Sequence, residues 1–97
     1  MREDNWPFKD EPNVMVITMK SIVYSNKPIL HISHDEEDGM WQFLDGSDVN
    51  TENAMIVSLK EMADIDPSIK DVSDLPLGCV AYREKKGDEW KKQSRSR

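Results

Sequence analysis

The sequence has too few cysteines for a disulfide-stabilised protein and no apolar run long enough for a membrane-spanning one. It contains one cysteine, Cys79, so no disulfide can form within the chain. Cys79 lies in the apolar run 79–82, where a thiol ordinarily packs as a small core side chain. No uninterrupted apolar run exceeds four residues, whereas a membrane-spanning helix needs about 20, and residues 1–10 lack the apolar segment of a secretory signal. We therefore expect a soluble, cytoplasmic protein with no membrane segment.

The motifs of nucleotide-binding and serine-dependent enzymes are also missing. There is no Gly-x-Ser-x-Gly sequence to present a nucleophilic serine. The four glycines are too widely separated to build a phosphate-binding loop: Gly39, Gly46, Gly78 and Gly87.

Possible metal ligands crowd together only in residues 31–39. His31 and His34 are three residues apart, which on a strand directs them to opposite faces and disfavours a shared zinc ion. A calcium loop of the EF-hand type would need an aspartate where His34 stands. We expect no cofactor, no bound metal and no catalytic residue. The alternative is a small hydrolase or metal-dependent enzyme that uses His31 or His34 with nearby carboxylates.

Positive charge is scarce in most of the chain. Residues 1–82 carry 16 acidic and 6 basic side chains, whereas residues 83–97 carry 7 basic and 3 acidic ones. An acidic body repels the phosphate backbone of nucleic acids and attracts basic protein surfaces. The charge therefore favours a basic protein as the partner and disfavours nucleic acid, although solubility alone would also account for it. The basic tail with Trp90 leaves a weaker alternative, contact with nucleic acid through the tail.

The 97 residues are enough for one domain with a single core. We interpret residues 1–13 as an N-terminal arm anchored by Trp6 and Phe8, residues 14–84 as the folded domain and residues 85–97 as a basic C-terminal tail. Apolar and β-branched runs predict strands, the first of them buried on both faces, at residues 14–18, 29–34, 40–44, 54–58 and 79–83. Short helices are predicted at residues 20–24, 59–65 and 68–72.

Two local signals support this assignment. Residues 35–39 end in Asp-Gly between two strand patterns, which is typical of a β-hairpin. Ser58 precedes Glu61 by three residues, the spacing of a helix capping box, and Asp66-Pro67 ends the helix that follows. The expected fold is α+β: a single small domain with a mostly antiparallel sheet of about five strands and one or two short helices on one face.

The order of these features resembles a bacterial family of unknown function that is grouped with the immunity proteins of polymorphic toxin systems. The resemblance covers most of residues 14–84 and rests on short motifs: Val16-Ile-Thr18, the acidic turn 35–39 with Trp41-Gln-Phe43 and Gly46, Val57-Ser-Leu59, Asp66-Pro-Ser-Ile69, Pro76-Leu-Gly78 and Tyr82-Arg83. The chain departs from the family in its second strand, where Leu30-His-Ile-Ser-His34 replaces a pattern that often holds Tyr and Arg.

The resemblance implies a non-enzymatic protein that binds and blocks a toxin, and it supplies no catalytic residue. An unrelated intracellular partner is the alternative. Combined with the charge pattern, it leads us to predict a partner-binding surface formed by Asp35, Glu36, Glu37, Asp38, Trp41, Asp45 and Asp48. For Trp41 the competing interpretation is core packing beside Phe43. The sequence does not identify the partner or the oligomeric state.

Overall fold

The computed structural model describes residues 6–47 and 50–94. Along the chain the elements are β1 (Met15–Met19), α1 (Lys20–Ser25), β2 (His31–His34), β3 (Trp41–Leu44), β4 (Ala54–Ser58), α2 (Leu59–Ile65), a 3₁₀ helix (Pro67–Val72), β5 (Cys79–Tyr82) and β6 (Lys91–Ser94). In the part of the chain that the structure describes, no helix has the length and apolar character needed to cross a membrane.

The six strands form one mixed sheet in the order β4-β1-β3-β2-β5-β6. β1 runs parallel to β3, and every other neighbouring pair is antiparallel. The predicted α+β class is confirmed, and so is the hairpin between β2 and β3. The sheet has six strands where we predicted about five, because residues 91–94 of the predicted tail pair with β5. Lys-Lys-Gln-Ser has no apolar alternation, so its sequence carries no strand signal.

One face of the sheet is buried and the other is open. Val16, Ile32 and Phe43 lie on the buried face and have no exposed surface. They pack in one core with the apolar residues of α2 and the 3₁₀ helix. Ile17 is paired with Gln42 on the opposite face, and the neighbouring Met15 is 53% exposed. The prediction that the first strand is buried on both faces is therefore wrong, because an apolar run does not reveal that helices cover only one of them.

The N-terminal segment contributes to the core from Trp6 onward. The Trp6 and Phe8 rings lie 5.3 Å apart, and Phe8 meets Trp41 edge-on with ring centroids 5.4 Å apart. Trp41 in turn stacks on Phe43 at 6.1 Å. Nε1 of Trp6 donates a hydrogen bond to the backbone carbonyl of Asp10 at 2.7 Å. Residues 6–13 are thus held against the sheet by a row of aromatic side chains.

Short polar contacts set the helix ends. Oγ of Ser58 accepts a hydrogen bond from the backbone N–H of Glu61 at 3.1 Å, which confirms the predicted N-cap of α2. The carboxylate of Asp66 accepts from the backbone N–H of Ser68 at 3.0 Å and begins the 3₁₀ helix at Pro67. α1 ends at Ser25, and the C-cap Asn26 that follows has a positive φ of 58°, a conformation that asparagine tolerates.

A buried ion pair joins the 3₁₀ helix to the end of β5. Nη2 of Arg83 lies 2.6 Å from Oδ2 of Asp66, and both side chains are buried. The guanidinium also donates to the Ile29 carbonyl at 3.0 Å and to Oγ of Ser68 at 3.1 Å. It lies 4.0 Å from the ring centroid of Trp90, which anchors the approach to β6. Each nitrogen of the Arg83 guanidinium and each oxygen of the Asp66 carboxylate thus has a hydrogen-bond partner.

Acidification should weaken this pair. Burial alone would raise the pKa of the Asp66 carboxyl, but hydrogen bonds from Ser68 and Arg83 and the charge of Arg83 outweigh it and hold the pKa below its usual value. A carboxyl whose pKa is lowered in the folded state stabilises the protein above its unfolded pKa of about 3.9, and this contribution disappears as pH falls through the folded pKa. Urea unfolding at pH 7 and at lower pH should show Asp66→Asn converging on the wild-type stability as pH falls. A stability difference that stays constant down to pH about 2 would contradict this assignment.

Candidate functional site

The predicted acidic turn, residues 35–38, projects from the sheet between β2 and β3. Glu36, Glu37 and Asp38 are exposed, whereas Asp35 is half-buried. Hydrogen bonds close the turn from Gly39 N–H to the Asp35 carbonyl at 2.9 Å and from Asp35 N–H to the Met40 carbonyl at 2.8 Å. Three neighbouring carboxylates are therefore displayed on an ordered turn.

The half-buried side chain of Asp35 stabilises the turn through hydrogen bonds. Its carboxylate accepts hydrogen bonds from Oγ of Ser33 at 3.2 Å and from Nε2 of Gln42 at 2.6 Å. Asp38 caps the other side of the turn, because its Oδ1 accepts from the backbone N–H of Met40 at 3.0 Å. Substitution of Asp35 would disturb the hairpin, so tests of the surface charge should leave it in place.

A groove of about 740 Å³ adjoins the acidic turn. Its walls come from residues 9–10, from His34, Gly39 and Trp41 of the hairpin, and from residues 73–77. Leu77 stands in the groove with 53% of its surface exposed. The two features are neighbours: Gly39 at the end of the turn lines the groove, and a β-carbon placed on Gly78, which follows Leu77, would lie 3.4 Å from Oε1 of Glu36. The acidic turn and the apolar groove therefore form one continuous surface.

His34 and Trp41 form the floor of the groove and are held from two sides. Nδ1 of His34 donates to the Leu75 carbonyl at 2.7 Å, which ties β2 to the loop before β5. The His34 ring stacks on Trp41 with centroids 3.9 Å apart, and Nε1 of Trp41 donates to Oδ2 of Asp10 at 3.0 Å. Trp41 is only 2% exposed. Its side chain belongs to the core, the competing interpretation of the sequence, and leaves almost no surface for the predicted partner contact.

Asp45 lies at the other end of β3 from the acidic turn. Residues 40 and 45 flank the four residues of β3, which places them roughly 15 Å apart at about 3.3 Å per residue. The Asp45 carboxylate accepts from Oγ of Ser21 at 2.8 Å and from Oγ of Ser47 at 2.5 Å. Burial would raise the pKa of Asp45, but the Ser47 and Ser21 hydrogen bonds and the Lys27 charge lower it below its usual value.

Asp45 therefore organises its own turn and does not extend the surface formed by residues 35–38. Asp48, the last of the predicted contact residues, lies outside the residues that the structure describes. The partner surface that we predicted as one patch thus separates into two ends of the sheet.

The two histidines do not converge. His31 pairs with Leu44 and His34 with Trp41 in the β2–β3 ladder, so they fall on different faces of the sheet. His34 lies opposite Cys79 of β5, and its Nδ1 is bonded to the Leu75 carbonyl. Within residues 6–47 and 50–94, no three His, Cys, Asp or Glu side chains are grouped to hold a metal ion.

Comparison with known proteins finds no matching family model, no matching curated protein and no matching solved structure. The resemblance to immunity proteins therefore stays a prediction that rests on the short motifs described above.

The sequence pointed to the acidic turn but not to the groove beside it. The groove brings together Asp10, His34 and Leu75, which are far apart in the chain. The Pro-Leu-Gly sequence at 76–78 is typical of a turn, but the exposure of Leu77 is seen only in the structure. Nothing in the periodicity of the sequence indicated that this turn packs beside residues 35–38.

Proposed function

We propose that this protein is a non-enzymatic binding domain that recognises a basic segment of a partner protein through the acidic turn and the adjoining groove. The observation that carries the proposal is the adjacency of the two features, since Gly39 at the end of the turn and Leu77 line the same groove. Glu36, Glu37 and Asp38 supply clustered negative charge, and Leu77 beside them supplies exposed apolar surface. A segment that combines lysine or arginine with an apolar side chain matches both.

The two features contribute in different ways. Exposed carboxylates act mainly by accelerating encounter with a positively charged partner, and salt screens this effect. An apolar side chain of the partner that packs against Leu77 would be removed from water, and this burial would slow dissociation of the complex. Asp10 and Asp74 at the groove wall are already paired, with Trp41 and Lys92 respectively. The three carboxylates of the turn are therefore the charges that a partner would engage first.

The motif resemblance supports a more specific proposal, in which the partner is a toxin and binding blocks its active surface. The acidic turn suits a toxin with a basic face, for example one that acts on nucleic acid. The proposal of a binding domain does not depend on this extension, because the turn and the groove would serve any basic partner.

Neutralising the turn should weaken binding about tenfold. In Glu36→Gln/Glu37→Gln/Asp38→Asn, three exposed charge contacts worth about 0.5 kcal/mol each are lost. We expect the variant to bind its partner, isolated from host extract on the immobilised wild-type protein, with a slower association rate and a smaller dependence on salt. Surface plasmon resonance between about 0.05 and 0.5 M salt measures both quantities.

The matched control removes the same three charges elsewhere. Asp71→Asn/Glu84→Gln/Glu89→Gln alters exposed carboxylates outside the groove, and we expect it to keep wild-type association. Leu77→Ser should lower affinity while leaving the salt dependence unchanged. Equal weakening by the two triple variants would show that overall charge, not the turn, drives association and would refute the proposed site.

A further inference from the structure

The two edge strands of the sheet differ in how well they are protected against pairing with a strand of another molecule. β6 presents Lys91 and Lys92, and charged edge residues are a common means of preventing strand pairing between molecules. β4 at the opposite edge is Ala-Met-Ile-Val-Ser, with no charge and no proline. Its outer side pairs with no strand in the described part of the chain, and Ile56 at its centre is 60% exposed. β4 is thus an uncharged edge that remains open to a further strand.

The register with β1 shows which backbone groups of β4 face outward. Lys20 N–H donates to the Asn53 carbonyl at 2.7 Å, and Leu59 N–H donates to the Val14 carbonyl at 2.8 Å. In an antiparallel ladder only alternate residues form hydrogen-bonded pairs. Residues 53, 55, 57 and 59 therefore bond to β1, and the backbone groups of residues 54, 56 and 58 point away from it.

Two of the outward groups are already used within the chain. The N–H of Ala54 donates to the Asn50 carbonyl at 3.1 Å. The carbonyl of Ser58, as that of an N-cap residue, accepts the first hydrogen bond of α2. Among residues 6–47 and 50–94, the outward groups of β4 that remain without a backbone partner are the Ala54 carbonyl, the N–H and carbonyl of Ile56, and the Ser58 N–H. These donors and acceptors are arranged symmetrically about Ile56.

We propose that β4 pairs with β4 of a second copy of this chain, antiparallel and with the two-fold axis at Ile56. In this register the two Ile56 residues exchange N–H and carbonyl, and each Ser58 N–H meets the Ala54 carbonyl of the other copy. Every remaining outward donor and acceptor finds a partner. A second copy is the favoured occupant because the pattern is complementary to itself.

Side chains and charges fit the same register. The two Ile56 side chains would lie opposite each other on the open face, about 5.5 Å apart between α-carbons. Met15, which is exposed, and Ile17, which is half-buried, flank them in β1 and extend the apolar contact. The register also brings Glu52 of one copy toward Lys60 of the other, which lies in the first turn of α2 and pairs with Asp64 at 3.2 Å.

The arrangement would give one continuous sheet across the two molecules. The acidic turn lies at the start of β3, and the two-fold axis reverses the strand direction between copies. The dimer would therefore display its two turns at opposite ends of the sheet, outside the dimer interface. Dimerisation and partner binding are separate properties, so either can fail without the other.

Sedimentation equilibrium over about 10 µM to 1 mM tests the dimer, because an interface confined to one edge strand is small and its affinity modest. We expect the apparent mass of the wild type to rise toward twice the monomer mass. Ile56→Lys should weaken association at least tenfold by placing like charges on the axis. Ile56→Pro should do the same by removing the outward N–H, a position that tolerates proline in an edge strand.

Tyr24→Lys is the matched control, since it changes another exposed apolar residue to lysine on α1, which is not part of the proposed strand pairing. It should dimerise like the wild type. Circular dichroism and thermal unfolding of each variant establish that the monomers are folded. A wild type that stays monomeric at about 1 mM, or a dimer that survives both Ile56 substitutions, would overturn the proposal.

Discussion

Arg83→Met is expected to lower the free energy of unfolding by about 3–5 kcal/mol, because it leaves the buried Asp66 carboxylate without its cation. The substitution keeps a long side chain of similar volume but removes the ion pair at 2.6 Å and the hydrogen bonds to the Ile29 carbonyl and Oγ of Ser68. It also removes the cation that lies over Trp90 and so weakens the anchor of β6. Urea unfolding at neutral pH measures the change.

Two further variants separate this effect from ordinary surface electrostatics. The double variant Asp66→Asn/Arg83→Met should lose less stability than the sum of the two single changes, since no uncompensated charge remains. Lys92→Met breaks the exposed pair with Asp74 at 2.8 Å and should have a much smaller effect, because solvent screens an exposed pair. Additive single effects at Asp66 and Arg83 would show that the pair is not coupled.

Phe8→Ala is expected to destabilise the protein by about 3–5 kcal/mol, the range for removal of a buried aromatic ring. Phe8 has no exposed surface, and it packs between Trp6 and Trp41. A loss of this size would show that residues 6–13 belong to the folded unit. Thermal or urea unfolding followed by tryptophan fluorescence measures it.

Lys9→Ala provides the control for this segment, because Lys9 is exposed and a surface change of this kind is usually within about 0.5 kcal/mol. If Phe8→Ala were as stable as Lys9→Ala, the aromatic row would not hold the N-terminal segment to the sheet.

Local signals in the sequence predicted much of the fold. The Asp-Gly turn predicted the β2–β3 hairpin, and Ser58 with Glu61 predicted the start of α2, because in each case the residues that decide the conformation are neighbours in the chain. β6 was not predictable in this way. Lys91–Ser94 pairs with β5 through its backbone while Trp90 packs under Arg83, and neither contact leaves a periodic pattern in the sequence.

The candidate site was also predictable only where local sequence decides the structure. The exposure of Glu36, Glu37 and Asp38 follows from their position in a turn and was predictable. The sequence did not show that Asp45 is turned inward to Ser21, nor that Trp41 is covered by Phe8 and His34. Both depend on contacts between residues more than twenty positions apart, or across neighbouring strands, and only the three-dimensional structure supplies them.

The proposed binding surface lies on the end of the sheet where β3 begins, and the proposed dimer uses the β4 edge. This separation leaves both copies of the acidic turn accessible in a dimer. A partner with two basic segments, or two partner molecules, would then bind one dimer with increased avidity.

Site-specific photo-crosslinking in host cells tests the central claim most directly. A benzoylphenylalanine placed at Glu37 should yield a covalent adduct with one partner protein, and the same group at Glu84 should not, since both positions are exposed but only the first lies in the acidic turn. Neutralising Glu36 and Asp38 should reduce the yield at position 37. Adducts of equal yield from both positions, or none from Glu37, would contradict a partner-binding role for the turn.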